Sequence, residues 1–265
     1  MELSGRTVVV TGGASGIGAA LAARAVAEGA AAVAIVDVRE DAVTATAQRL
    51  GVAPVVADLA SAQGVRAAVE AAESAVGHID VWCSNAGVAV GGDLMVDDEG
   101  WQLSWDVNVM AGVRAARLLV PGWVERGEGV FISTVSASGL LNHILAAAYG
   151  VTKAAALSFA ENLAMTHGLQ GVRVLAVCPQ GVRTPMLDTD PSGFLDHGAI
   201  QPEDVAEAVV RGLADDRRFL VLPHPEVAEM AGQRAENHDR WVAGMRRFRE
   251  RVVSAFDGDP TDWTA

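Results

Sequence analysis

The segment Thr11-Gly12-Gly13-Ala14-Ser15-Gly16-Ile17-Gly18 decides how this chain is read. It stands between a short apolar run, 8–10, and an alanine-rich stretch of helical character, 17–28. Glycines at a strand-to-helix turn let the backbone bend tightly and approach a pyrophosphate, whose charge then faces the positive end of the helix. The spacing is G-x-x-x-G-x-G, a variant of the usual dinucleotide fingerprint, so the flanking strand and helix carry as much weight as the glycines. Gly12, Ser15, Gly16, Ile17 and Gly18 are the expected contacts.

Outward from this turn, strands and helices alternate. Strands are predicted at 32–36, 54–56, 79–83, 130–133, 173–177 and 219–222, and helices at 40–50, 61–76, 99–126, 147–167 and 203–214. Ser61 is the expected N-cap of its helix, and Pro121 is expected to bend or end the long one. Seven short strands separated by helices predict an α/β, Rossmann-type doubly wound fold: a seven-stranded parallel sheet flanked by helices. Connections this regular leave no domain boundary, so 1–265 is expected to be a single domain. Residues 187–200 break the rhythm and are expected to form a loop beyond a strand's carboxyl end, either a substrate lid or plain surface. The Arg-rich segment 226–256 reads as a helical tail with a solvated face or a subunit contact.

Composition narrows the partners. Of 265 residues, 51% are hydrophobic and only 5% aromatic, so alanine and valine supply much of a well-filled core. The formal charge of −13 argues against nucleic acid and anionic membrane as partners, since both require a positive footprint. No apolar stretch reaches bilayer length. No export signal is expected in the first residues, because Gly12 breaks the apolar pattern soon after Arg6, and a cytoplasmic setting with Cys83 and Cys178 reduced is expected.

A second group of residues extends the nucleotide reading. The second strand runs into Asp37, 19 residues beyond Gly18 (37 − 18). A carboxylate there accepts hydrogen bonds from ribose hydroxyls and repels a 2′-phosphate, favouring NAD over NADP, although neighbouring Arg39 pulls the other way. Asp37 also suits a plain turn. Asp58-Leu59 follows the third strand, where a carboxylate can face an adenine. Ser84-Asn85-Ala86-Gly87 follows the fourth, where small residues admit a close backbone.

The chemistry is read from the chain's single tyrosine. Lys153 follows Tyr149 at i+4, on the same helix face. A nearby ammonium favours phenolate and lowers the tyrosine pKa, fitting the pair for acid–base work on an alcohol. Ser136 lies 13 residues before Tyr149 (149 − 136), where its hydroxyl can steady a carbonyl oxygen. Asn108 offers an amide for holding a water. Singly, each of these residues has an ordinary structural explanation.

Together, TGGASGIG, Asp58, SNAG, Asn108, Ser136, Tyr149-Gly150-Val151-Thr152-Lys153 and Cys178-Pro179-Gln180-Gly181 resemble the short-chain dehydrogenase/reductase family over about residues 4–222. The resemblance implies a tyrosine that exchanges the proton and a lysine that tunes it and binds the nicotinamide ribose. It implies that the serine positions the substrate oxygen and the asparagine supports a water relay. Pro179, Gly181 and Thr184 are implied to hold the nicotinamide carboxamide, and Val182 is implied to bind the cofactor beside them. A homotetramer or homodimer is also implied. SNAG stands where NNAG is commoner.

The expected function is NAD-dependent interconversion of a secondary alcohol and a ketone. The alternatives are an NADPH-preferring ketone reductase and a non-catalytic NAD-sensing module. A serine hydrolase lacks its G-x-S-x-G elbow, and no H-E-x-x-H or cysteine pair suggests a metal. Segments 140–146 and 187–200 are the expected pocket walls, with His143 a candidate lining residue; the substrate itself is not named by the sequence.

Overall fold

The computed structural model describes residues 2–188, 193 and 195–255. Among these, seven strands form one parallel sheet: β1 Thr7–Thr11, β2 Ala32–Asp37, β3 Ala53–Val56, β4 Val81–Ser84, β5 Gly129–Thr134, β6 Val172–Val177 and β7 Leu220–Val221. Their spatial order is β3-β2-β1-β4-β5-β6-β7. The β1 run is almost pure valine and entirely buried, as befits a strand covered on both faces by helices. Fully burying each such side chain contributes about 1.5–3 kcal/mol.

One face is covered by α1 (Gly16–Ala27), α2 (Glu40–Leu50) and α9 (Pro202–Ala214), and the other by α3 (Ala62–Val76), α5 (Ala111–Arg126) and α7 (Ala147–His167). The alanine-rich sequence suits this arrangement, because small side chains let helices sit close to the sheet. Gly18 is the extreme case. A Cβ there would lie 2.1 Å from the Gly12 carbonyl oxygen and 2.8 Å from the Asn85 amide, so only glycine lets α1 pack on the turn before it. Ser61 caps α3 by accepting the Gly64 N–H at 2.9 Å.

Strand order reverses between β1 and β4, so the crevice at their carboxyl ends is where this architecture takes a ligand. Thr11, the last residue of β1, closes that seam. Its hydroxyl donates to the Cys83 carbonyl at 3.0 Å and accepts the Asn85 and Ala86 N–H groups at 2.9 and 3.0 Å.

Three expectations are corrected. The helix drawn at 99–126 is α4 (Asp98–Trp105) and α5 joined by a π turn, Asp106–Met110, and Pro121 lies inside α5 rather than ending it. Two short helices were not anticipated, α6 (Ala137–Leu141) and α8 (Pro185–Asp188). The loop drawn at 187–200 begins inside α8, and its residues 189–192 and 194 lie outside the described part of the chain.

The tail is helical, as expected, with Arg246, Arg247 and Arg251 exposed. It folds as α10 (Glu226–Glu236) and α11 (His238–Ala255) against its own chain, with residue 256 outside the described part. Val227, Met230, Ala231 and Trp241 pack on Leu140 and Leu141. Arg234 donates to the Leu140 carbonyl, and Arg249 to the Ile144 carbonyl at 3.0 Å. Its arginines are thus drawn partly to backbone carbonyls rather than wholly to solvent, because the α6–α7 connection presents carbonyls that no helix satisfies. No helix among the described residues is long and apolar enough to cross a membrane.

Candidate active site

A cleft of about 570 Å³ opens along the carboxyl edge of the sheet. At one end lie Gly12, Ser15, Gly16 and Ile17. The α1 N-terminus there has no side-chain cap, since the Ser15 hydroxyl instead accepts from Arg39 Nη2 at 3.0 Å. Its first N–H groups are therefore left for an anion from outside the helix.

Asp37, at the tip of β2, borders the same cleft and is 8% exposed. Its Oδ2 accepts the Ala14 N–H at 3.2 Å and its Oδ1 accepts the Arg39 N–H at 3.1 Å and Arg39 Nε at 3.3 Å. Both roles considered for Asp37 are therefore compatible: it builds the turn, and Oδ2, which accepts a single bond, keeps acceptor capacity. Asp58, Leu59, Asn85, Ala86 and Gly87 line the middle of the groove.

Ser136, Tyr149 and Lys153 meet at the far end, together with Pro179, while Thr184 lines the cleft beside Gly16. β5 ends just before Ser136, and α7 presents Tyr149 and Lys153 one turn apart. Lys153 Nζ donates to the Thr134 carbonyl at 3.1 Å and stands 5.5 Å from the Tyr149 ring centroid. Gly87 keeps this corner open: a Cβ there would sit 3.2 Å from both Lys153 Nζ and Asn108 Oδ1.

Electrostatics in the corner are dominated by desolvation. Burial lowers the Lys153 ammonium from its ordinary value to about 8. Burial also raises the Tyr149 phenol, opposed by a hydrogen bond from Ser136. This corrects the expected direction: in the protein alone the tyrosine is held up by burial rather than drawn down by the lysine. The lysine's charge is directed at a carbonyl and the ring face, and burial weakens its hold on the proton.

Four expected site residues do not line the cleft, and neither do His143, the rest of the expected wall 140–146, or the described residues of 187–200. Gly18 packs inside the glycine turn. Gly181 and Val182 face the following loop: the Gly181 carbonyl accepts the Ile200 N–H at 3.1 Å, and Val182 bridges to Ile200. Asn108 sits in the π turn with its amide committed. Oδ1 accepts the Val88 N–H at 2.9 Å, while Nδ2 donates to the Val88 carbonyl at 2.9 Å and to Thr152 Oγ1 at 3.0 Å. It fastens the β4 loop to α7 rather than reaching into the groove.

Sequence reasoning missed the apolar walls: Val88, Leu103, Val107, Val135, Pro185 and Met186. No motif distinguishes such residues from ordinary core. It also gave Thr11 no role, although Thr11 stands within the quoted glycine segment.

A sequence model described as short chain dehydrogenase matches residues 6–193. The 1-deoxy-11-beta-hydroxypentalenate dehydrogenase of Streptomyces exfoliatus is 39% identical over 231 residues, covering 83% of this chain and 84% of that protein. A short chain dehydrogenase/reductase from Burkholderia phymatum, solved in complex with NAD, superposes with a TM-score of 0.81 at 26% identity, over 90% of this chain and 96% of that one. L-Sorbose reductase from Gluconobacter frateurii, complexed with NADPH and L-sorbose, gives 0.73 at 30% identity, over 84% and 97%.

Proposed function

The chain belongs to the short-chain dehydrogenase family, and from that premise we propose that it is an NAD-dependent enzyme interconverting a secondary alcohol and a ketone. At the coarser level it is an oxidoreductase acting on alcohol or ketone substrates. The observation that carries the finer reading is the meeting of Ser136, Tyr149 and Lys153 at one end of a cleft whose other end holds an uncapped helix N-terminus and Asp37.

The residues fit a nicotinamide dinucleotide. The N–H groups at Gly16 and Ile17 would take the pyrophosphate, Asp37 the adenosine ribose, and Asp58 and Leu59 the adenine side. Lys153 would reach the nicotinamide ribose, and Pro179 with Thr184 the carboxamide. Gly181 and Val182 would support that turn from behind. When bound, the nicotinamide supplies or accepts the hydride; the protein orients and tunes.

Tyr149 acts as general base on the alcohol or general acid on the ketone, at its phenolic oxygen. Ser136 hydrogen-bonds the phenol and holds the substrate oxygen beside it. Lys153 supplies positive charge under the ring, and with its own value near 8 it can return a proton as well as stabilise phenolate. Asn108 keeps Val88 and Thr152 in place and so steadies the helix turn between Tyr149 and Lys153.

NAD is preferred in this reading because the Asp37 carboxylate is fixed where a 2′-phosphate would crowd it. The NADPH alternative rests on Arg39, whose guanidinium lines the same end and bridges Asp37 and Ser15. A homotetramer or homodimer remains part of the proposal, with exposed Val151 and Met165 on α7 supplying apolar surface; sizing chromatography tests it.

The test is fluorescence titration with NADH and NADPH, then a screen of secondary alcohols with NAD at the absorbance of reduced nicotinamide. Tighter NADH binding with turnover supports the reading. NADH binding without turnover across the panel would leave a nucleotide-sensing module, and binding of neither would overturn the cofactor assignment.

A further inference from the structure

Beyond its packing on α6, the tail holds the peptide group that faces the Tyr149 end of the cleft. Arg249 Nε, on α11, donates to the Ile144 carbonyl at 3.0 Å, and Arg249 Nη2 lies 3.7 Å from Asp93 Oδ2 on the β4–α4 loop. The N–H of the same peptide group, that of Leu145, donates to His143 Nδ1 at 3.2 Å. The His143 ring then stands edge-on to Tyr149, with centroids 5.9 Å apart and planes at 86°.

The two loops under Arg249 are also joined to each other. The Gly92 N–H donates to the Leu145 carbonyl at 3.0 Å, and the Ala147 N–H to the Gly92 carbonyl at 2.9 Å. At the foot of this segment Asn142 takes a left-handed φ of 70°, the one non-glycine residue to do so among those described. A backbone held in such a conformation persists where its surroundings fix it. A charged donor on the Ile144 carbonyl polarises the peptide and strengthens the Leu145 N–H as a donor to the imidazole. That bond makes Nδ1 the acceptor and fixes the ring's rotation.

We propose that Arg249 and His143 are positioning residues of the active site: the C-terminal helix, acting through the Ile144–Leu145 peptide, sets the orientation of the His143 ring against Tyr149. This rests on the proposed role of Tyr149 as acid–base group and extends it, because the tail then contributes to the chemical step without touching substrate.

An interaction that orients an acid–base group acts in the transition state, so its loss lowers kcat and kcat/KM together and leaves KM alone. Arg249→Met and His143→Ala are each expected to lower kcat roughly fivefold, the scale of the one aromatic edge contact that both act through. With cyclohexanol and the related cyclic secondary alcohols as probes, KM and NADH affinity should stay within about twofold. Arg249→Lys, which keeps a donor, should recover most of the rate. The double variant Arg249→Met/His143→Ala should be no slower than either single variant, because both act along one route.

Additive losses, a change confined to KM, or no recovery by lysine would overturn the proposal. Hydrogen exchange across 140–147 supplies an arm that needs no turnover: Arg249→Met should speed exchange there and leave 7–37 unchanged, and unchanged exchange at 140–147 also overturns it. Should the wild-type chain oxidise none of the alcohols, the functional reading falls by itself, and the exchange arm decides the clamp.

Discussion

Lys153 Nζ donates to the Thr134 carbonyl at 3.1 Å while lying 5.5 Å from the Tyr149 ring centroid, so one buried cation ties the end of β5 to the group proposed to move the proton. With Lys153 only 4% exposed, its charge is held at a cost to stability. Lys153→Met should therefore abolish turnover yet stabilise the fold at pH 7 by about 1–3 kcal/mol. The sign follows from linkage. The folded value, about 8, lies below the ordinary 10.5, so the penalty is full below pH 8 and fades as pH rises toward 10.5. Urea unfolding of both proteins at pH 7 and pH 10 checks it: the variant's advantage should shrink at the higher pH.

Tyr149→Phe removes the phenolic oxygen and keeps the ring beside His143 and Lys153. Turnover should fall roughly 10³-fold or more, in the upper range for loss of a positioned acid–base group. NADH affinity, read by fluorescence, should change by less than about twofold, since the ring is retained. Appreciable residual turnover would exclude Tyr149 as the proton-transfer group.

Asp37 is tied to Ala14, to Arg39 and, in the proposed complex, to the ribose. Asp37→Ala should weaken NADH about tenfold, the scale of losing hydrogen bonds to a charged acceptor, and improve NADPH. The gain should vanish in Asp37→Ala/Arg39→Ala, because the released guanidinium is the available partner for a 2′-phosphate. An unchanged ratio of NADH to NADPH affinity in the single variant would remove Asp37 as the discriminating group.

Thr11→Val keeps the shape of the side chain and loses its hydroxyl. The Asn85 and Ala86 N–H groups and the Cys83 carbonyl then lose their partner at the seam between β1 and β4. A stability loss of about 2–4 kcal/mol is expected from buried groups left unpaired, with weaker NADH binding. Thermal unfolding and NADH titration report the two effects separately.

Ser61→Ala is the contrasting case. It removes the exposed α3 cap just beyond the cleft residues Asp58 and Leu59, remote from Tyr149 in the chain, and should cost about 1 kcal/mol with no change in kcat. A loss of kcat there would mean that the β3–α3 turn is coupled to the chemical end of the cleft more tightly than its packing indicates.

Much of this protein was determined by local sequence. Short apolar, valine-rich runs specified the strands, capping and alanine bias specified helices such as α3, and the TGGASGIG turn specified where the crevice lies. These are interactions between neighbours along the chain, or the burial of whole faces, and a sequence displays both. The i+4 spacing of Tyr149 and Lys153 belongs to the same class, because a helix converts it directly into a shared face.

Tertiary structure decided what depends on distant partners. Whether Lys153 lowers the tyrosine or is itself lowered depends on burial, and burial is set by strands and helices remote in sequence. Asn108 carries an amide suited to water, yet Val88 and Thr152 occupy it. The arginines of the tail have no local preference between solvent and a neighbouring loop. They meet Leu140 and Ile144 only because α10 and α11 fold back over α6, and no spacing in the chain announces a carbonyl that lies 105 residues from Arg249.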